Sequence, residues 1–123
     1  MEVYQRIVSS EAGDILLHFI DYPNGSIFVW ATTVQDLSFD DFHVAVPDKF
    51  ARLPAVSTRM GDTDSIGRFV ALRLSQRLKT PVVVSWSLPG FTGGEGAQFV
   101  EAEILKEISF RRPELVNPAA VGA

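Results

Sequence analysis

Through the first half of the chain, apolar positions recur at every second residue. Residues 14–22 (DILLHFIDY) place Ile15, Leu17 and Phe19 on one side of an extended segment, and Leu16, His18, Ile20 and Tyr22 on the other. The Pro23-Asn24-Gly25-Ser26 stretch that follows contains an Asn-Gly pair, which tolerates the positive φ of a tight hairpin turn. Residues 27–33 resume the alternation, with Ile27, Val29 and Ala31 set against Phe28 and Trp30. Shorter strands are predicted at 42–46, between Asp40-Asp41 and Pro47, and at 55–60, between Pro54 and Gly61. An opening strand is predicted at 3–9, turning through Glu11-Ala12-Gly13. Short connections between consecutive strands favour antiparallel neighbours.

At Asp62 the period changes. Asp62-Thr63-Asp64-Ser65 supplies several candidate N-caps, and Ile66, Phe69, Val70, Leu74 and Leu78 then recur at helical spacing. Thr80-Pro81 stops this helix, and residues 82–88 return to a strand with Val82, Val84, Trp86 and Leu88 on one side. A breaker-rich loop follows to residue 96. Beyond it Ala97, Val100, Ile104, Leu105 and Ile108 line one stripe of a second helix, which ends near Arg111-Arg112-Pro113. No repeat or internal boundary is visible, so one domain over residues 1–113 is expected, with a mobile tail over 114–123.

These elements predict an α+β domain: a single antiparallel sheet of about six strands with two helices packed on one face. The strands, however, are apolar on both sides. Leu16, Ile20, Phe28 and Trp30 oppose Leu17, Phe19, Ile27 and Val29, and two helices cannot cover both faces. At roughly 25 cal/mol per Å², a few hundred Å² of apolar surface is costly to leave in water. The other face is therefore expected to serve sheet-on-sheet dimerisation, with a tryptophan, Trp30 or Trp86, as a candidate anchor. The favoured face carries His18, Ile20, Phe28 and Trp30, because it is the more aromatic and mixed of the two.

Composition narrows the possible functions. The chain has 123 residues, 46% of them hydrophobic and 21% charged, as in a globular domain. Eleven Lys and Arg against fifteen Asp and Glu give a net charge of −4, which argues against a nucleic-acid surface. The absence of cysteine removes disulfides, thiolate catalysis and Cys-based metal sites. The N-terminus reads as no signal peptide and no apolar run is long enough to span a bilayer, so no membrane partner is expected. The expected location is the cytoplasm, extending to the nucleus.

Few residues offer chemistry. His18 and His43 are the only histidines; each falls inside a predicted strand, and neither HxH nor HxxxH spacing occurs. Catalysis by His18 with Asp14 or Asp21, or by His43 in a small hydrolase, is the enzymatic alternative. The glycine-rich stretch 90–96 lacks both the Gly-Lys-Ser/Thr ending of a phosphate loop and the GxGxxG spacing of a dinucleotide site, and reads as a flexible connection or a loop ordered by a protein partner. Asp40-Asp41 and Asp62-Thr63-Asp64 suit turns and caps better than calcium, since no ligating Glu follows at the needed offset. Arg68, Arg73 and Arg77 read as a solvated helix face or as a contact for an acidic partner. No catalytic residue, cofactor or metal is assigned.

One succession of short motifs resembles a known family. Leu17-His18-Phe19, Phe28-Val29-Trp30, Ser57-Thr58, Gly61-Asp62-Thr63, Arg73 with Arg77, and residues 82–86 (VVVSW) occur in the order found in proteasome assembly chaperone 4 proteins, over about residues 14–109. The resemblance implies an antiparallel sheet with two helices on one side and no catalytic site. It also implies pairing, sheet to sheet, with a proteasome assembly chaperone 3 homologue, and binding of α-type subunits while the 20S proteasome α-ring forms. Under that reading Arg68, Arg73, Arg77 and Phe91 are the candidate partner-binding residues, and an isolated chain is open to homodimer formation. A dimeric sheet-sandwich adaptor or scaffold subunit of another complex is the alternative.

Overall fold

A computed structural model describes residues 1–89 and 94–116. Its strands are β1 (Glu2–Ser10), β2 (Gly13–Asp21), β3 (Ile27–Thr33), β4 (Phe42–Val46), β5 (Ala55–Met60) and β6 (Val82–Ser87). Its helices are α1 (Ile66–Leu78), α2 (Gly94–Arg111) and the single turn α3 (Pro113–Val116). The six strands form one sheet in the order β1-β2-β3-β6-β4-β5. The sheet is mixed rather than wholly antiparallel. β3 and β6 run parallel, Ile27 opposite Val82 and Ala31 opposite Trp86, while the other four pairings are antiparallel. The reason is the crossover: the chain builds β4, β5 and α1 after β3, and α1 returns it to the sheet on the same heading.

Strand parity sorts the two faces. Ile15, Leu17 and Phe19 align with Ile27, Val29 and Ala31, and these with Val82 and Val84, forming a layer with almost no solvent contact. Both long helices lie on this layer. α1 buries Val70, Ala71, Leu74 and Leu78, and α2 buries Ala97, Val100, Ile104 and Ile108. Trp86 belongs to this core and is not an interface anchor. The folded chain also continues past Pro113, because Leu115 and Val116 of α3 pack on the core; residues 117–123 lie outside the described residues. Gly94 and Gly96, expected in the loop, begin α2 instead.

Ion pairs fasten α2 across β1. Arg6 meets Glu103 at 2.6 Å and Glu107 at 3.8 Å, and Arg111 pairs with Glu2 at 3.1 Å. Arg111 also lies over the Tyr4 ring at 4.4 Å, and that ring stacks on Phe19 at 4.9 Å. Arg112 donates to the buried Asp21 at 2.6 Å and pairs with Glu114. Hydrogen bonds to Glu114 and then Asp21 hold the Arg112 guanidinium more firmly protonated than usual, and Arg112 in turn lowers the pKa of the Glu114 carboxyl. Tyr4 differs: burial, reinforced by the Asp21 charge and opposed by Arg111, pushes its phenol up to about 12.

A polar relay centred on the buried Asp41 and His43 fixes the start of α1 to the sheet. Arg68 Nη1 donates to Val56 O at 3.3 Å and to Thr58 Oγ1 at 3.4 Å. Thr58 Oγ1 lies 3.0 Å from Nδ1 of the fully buried His43, whose Nε2 is 2.9 Å from Asp41 Oδ2 and 2.7 Å from Ser65 Oγ. Ser65 Oγ donates to Asp41 Oδ2 at 3.2 Å, and the Trp86 N–H donates to Asp41 Oδ1 at 2.5 Å. One proton arrangement satisfies every member: Thr58 donates to Nδ1, and the Nε2 proton is shared between Asp41 and Ser65. Ser65 is the N-cap residue of α1, yet its side chain makes no capping bond, because its hydroxyl serves this relay.

Two glycines make room for the relay. Gly61 sits at φ +93°, and a Cβ there would lie 2.6 Å from Asp41 Cβ. At Gly67 a Cβ would come within 2.8 Å of Asp41 Oδ2 and 2.9 Å of both His43 Cδ2 and Trp86 Cβ.

Two outcomes are expected. Alanine at position 67 raises helix propensity by about 1 kcal/mol, but overpacking of this kind costs about 1–3 kcal/mol. Gly67→Ala therefore lowers the urea midpoint, with the slope of the transition unchanged. Separately, the raised Tyr4 pKa contributes stability that is complete below the unfolded value near pH 10 and lost as pH climbs to about 12. A spectrophotometric titration should show a tyrosine ionising near 12 that is missing in Tyr4→Phe, together with a smaller alkaline loss of stability in that variant.

Candidate functional site

The face of the sheet turned away from the helices carries no secondary-structure layer among the described residues. Its rows follow from the strand registers: Ile7, Gln5 and Val3 on β1 stand opposite Leu16, His18 and Ile20 on β2. His18 and Ile20 in turn stand opposite Trp30 and Phe28 on β3, and Phe28 opposite Val83 on β6. Val44 of β4 completes the row beside Val83. Most of these side chains are half-buried, and the β1 edge is more open, with Val3 53% and Ile7 61% exposed. This density of apolar groups on one sheet face makes it the candidate site.

Its centre is aromatic. Trp30 meets His18 edge-on at 6.1 Å and Phe39 at 6.0 Å, while Phe39 contacts Phe28 at 6.4 Å and Phe42 at 6.0 Å. Phe39 comes from the loop between β3 and β4, which folds back over the face. Trp30 Nε1 donates to Ser38 O at 2.8 Å, Ser38 N donates to Thr32 Oγ1 at 3.0 Å, and Asp40 N donates to Ser87 Oγ at 2.9 Å. The loop thus raises a ring above strands whose own side chains are flush.

His18, Ile20, Phe28 and Trp30, selected from the sequence, come together on this face. The sequence reading did not single out Phe39 or Phe42; Phe42 had a signal in the alternation of β4, whereas Phe39 lies outside any period. The arginines of α1 do not form one group. Arg68 reaches inward to β5, and Arg73 donates from Nε to Glu101 of α2 at 2.8 and 3.1 Å. Arg77 is solvent-exposed. Phe91 lies outside the described residues.

Neither histidine is arranged for nucleophilic catalysis. His18 Nδ1 accepts from Gln5 Nε2 at 2.9 Å. Asp21 is on the opposite face with Phe19, paired to Arg112, and Asp14 is four residues along the strand, roughly 13 Å away. Asp41, His43 and Ser65 assemble a Ser-His-Asp set that the sequence did not reveal. In a working triad the acid and the nucleophile occupy different ring nitrogens. Here both meet Nε2, Nδ1 is taken by Thr58, and the ring is fully buried. Among the described residues no group of three or more His, Cys, Asp or Glu side chains is placed to hold a metal ion.

The comparisons agree with this geometry. The sequence pattern of proteasome assembly chaperone 4 matches residues 14–88, from the start of β2 through β6. Curated protein sequences give no match. Among solved structures, a chain from the crystal structure of a novel chaperone complex for yeast 20S proteasome assembly shares the fold. Its TM-score is 0.61 at 18% identity, over 93% of this chain and 97% of that one. With more than half of its length matched by that pattern, the chain belongs to the proteasome assembly chaperone 4 family.

Proposed function

We propose that this protein is a non-enzymatic assembly chaperone of the 20S proteasome. It pairs through its open sheet face with a proteasome assembly chaperone 3 homologue, and the pair binds α-type subunits while the α-ring forms. One observation carries the reading: in a member of this family, a sheet face bearing Leu16, His18, Ile20, Phe28 and Trp30 has no helix or strand over it among the described residues, only the loop that carries Phe39. A second sheet laid on it would exclude water from these rows, and sheet-on-sheet packing at about 10 Å is the ordinary way to do so. The action is thermodynamic. Binding raises the population of a correct intermediate and blocks wrong contacts, and departure follows when later assembly steps compete for the same surface.

The position of Ile20 makes the pairing testable without unfolding the protomer. It lies on the open face, half-buried, while its neighbour Phe19 is fully buried beneath the helices. Light scattering on the wild-type chain mixed with a chaperone 3 homologue should give the mass of a one-to-one pair. Ile20→Asp should weaken that pairing by about 100-fold or more, the range of a central anchor lost with burial of an unpaired charge. Its denaturation midpoint, measured alone, should stay near wild type. Undiminished pairing by the variant would exclude this face.

A further inference from the structure

Across the molecule from the aromatic rings, at the far end of β4 and β5, residues 47–54 form a loop that stands away from α1. Between the loop and the second half of α1 lies an open groove of about 750 Å³. Its apolar lining includes Phe50, 89% exposed, with Leu53 and Val46 also exposed. The loop is shaped rather than slack at its tip: Phe50 N donates to Asp48 Oδ1 at 2.9 Å and Ala51 N to Asp48 O at 3.2 Å, which turns the phenyl ring outward. Lys49 Nζ lies 5.2 Å from the centroid of that ring.

The charge of the groove is opposite to that of the chain. Lys49, Arg52 and Lys79 line it against the single acid Asp48, in a protein whose net charge is −4. Lys79 is unusual in its backbone as well. It closes α1 at φ 56°, the one non-glycine residue with positive φ among those described, where glycine would be free of strain. A lysine kept in a strained position at the wall of an apolar groove suggests that its charge is used there.

We infer that this groove binds an acidic protein segment carrying an apolar anchor, with Phe50 and Leu53 taking the anchor and Lys49, Arg52 and Lys79 the carboxylates. The groove lies on the helix side, so it stays open when the opposite sheet face is paired. Charge complementarity chooses the occupant: the basic groove suits an acidic peptide, and the net negative charge of the chain would repel an anionic lipid surface. Under the chaperone reading, on which the identity of the client rests, the segment belongs to an α-type subunit. The contact then falls on this loop rather than on Arg68 and Arg73, which are already bonded within the protomer.

Two measurements separate this inference from the chaperone reading. In the first, a fluorescent peptide with a Leu-Phe pair flanked by Asp and Glu is titrated into the full chain, with a Lys-flanked peptide as control. Saturable binding of the acidic peptide only is expected, with amide shifts at Lys49, Phe50, Arg52, Leu53 and Lys79. Lys49→Glu with Arg52→Glu should weaken it at least tenfold. Lys79→Gly should weaken it several-fold while the melting temperature stays level or rises, whereas a purely structural lysine would lose stability and leave binding intact. Absence of binding, shifts mapping elsewhere, or association instead with phosphatidylserine vesicles each overturns the inference. In the second, the pair with a chaperone 3 homologue is tested against purified α-type subunits. If the acidic peptide binds the groove but no α-type subunit binds the pair, the chaperone reading fails and the groove stands. If α-type subunits bind the double charge-reversal variant as tightly as wild type, the groove is not the client contact.

Discussion

A sheet has two faces, and the apolar alternation of β2 and β3 makes both of them adverse to water. The residues after β5 supply two long helices, and both go to the same side, over Leu17, Phe19, Val29 and Val84. Everything else in the molecule is arranged around this asymmetry. The helix-side layer is dry and closely packed, as a folded domain requires. The other layer is mostly of intermediate burial, its rings in contact with one another and with a loop. The chain thus closes its core on one side of its sheet only.

The two sides also solve the problem of polar groups differently. On the helix side, Asp41 and His43 are buried and Thr58, Ser65 and Arg68 half-buried, yet each has partners, with a cation at one end of the relay and a carboxylate at the other. Fully satisfied networks of this sort specify one arrangement of their elements, and here they set where α1 starts on β4, β5 and β6. On the open face, the indole of Trp30 is satisfied within its own chain by Ser38. An incoming surface therefore need not supply a hydrogen bond to that ring in order to cover it.

Much of this was legible in the sequence because the physics involved is local. Strand limits at Pro47, Pro54, Gly61 and Pro81 follow from backbone chemistry, and alternation alone sorted Ile20 from Phe19. What escaped depends on residues far apart in the chain. The parallel pairing of β3 with β6 cannot be read from either strand, although the near-continuous apolar run of β6 hinted at a central position. Asp41 and Ser65 looked like a turn residue and a cap because Ser65 meets Asp41 and His43 only once α1 is folded against β4. Arg68 looked solvated for the same reason. Phe39 gave no sign at all, since a loop residue has no period to betray which surface it covers.

The crossover has a kinetic corollary. β1, β2 and β3 form a meander whose contacts are close in sequence, while the β3–β6 ladder joins Ile27 to Val82 only after β4, β5 and α1 have been laid down. Closing so long a loop is paid in chain entropy before the ladder returns anything. By that reasoning the central seam closes at a higher entropic cost than either hairpin of the meander. Until it closes, β3 presents to other chains the open row of backbone groups that β6 later takes up.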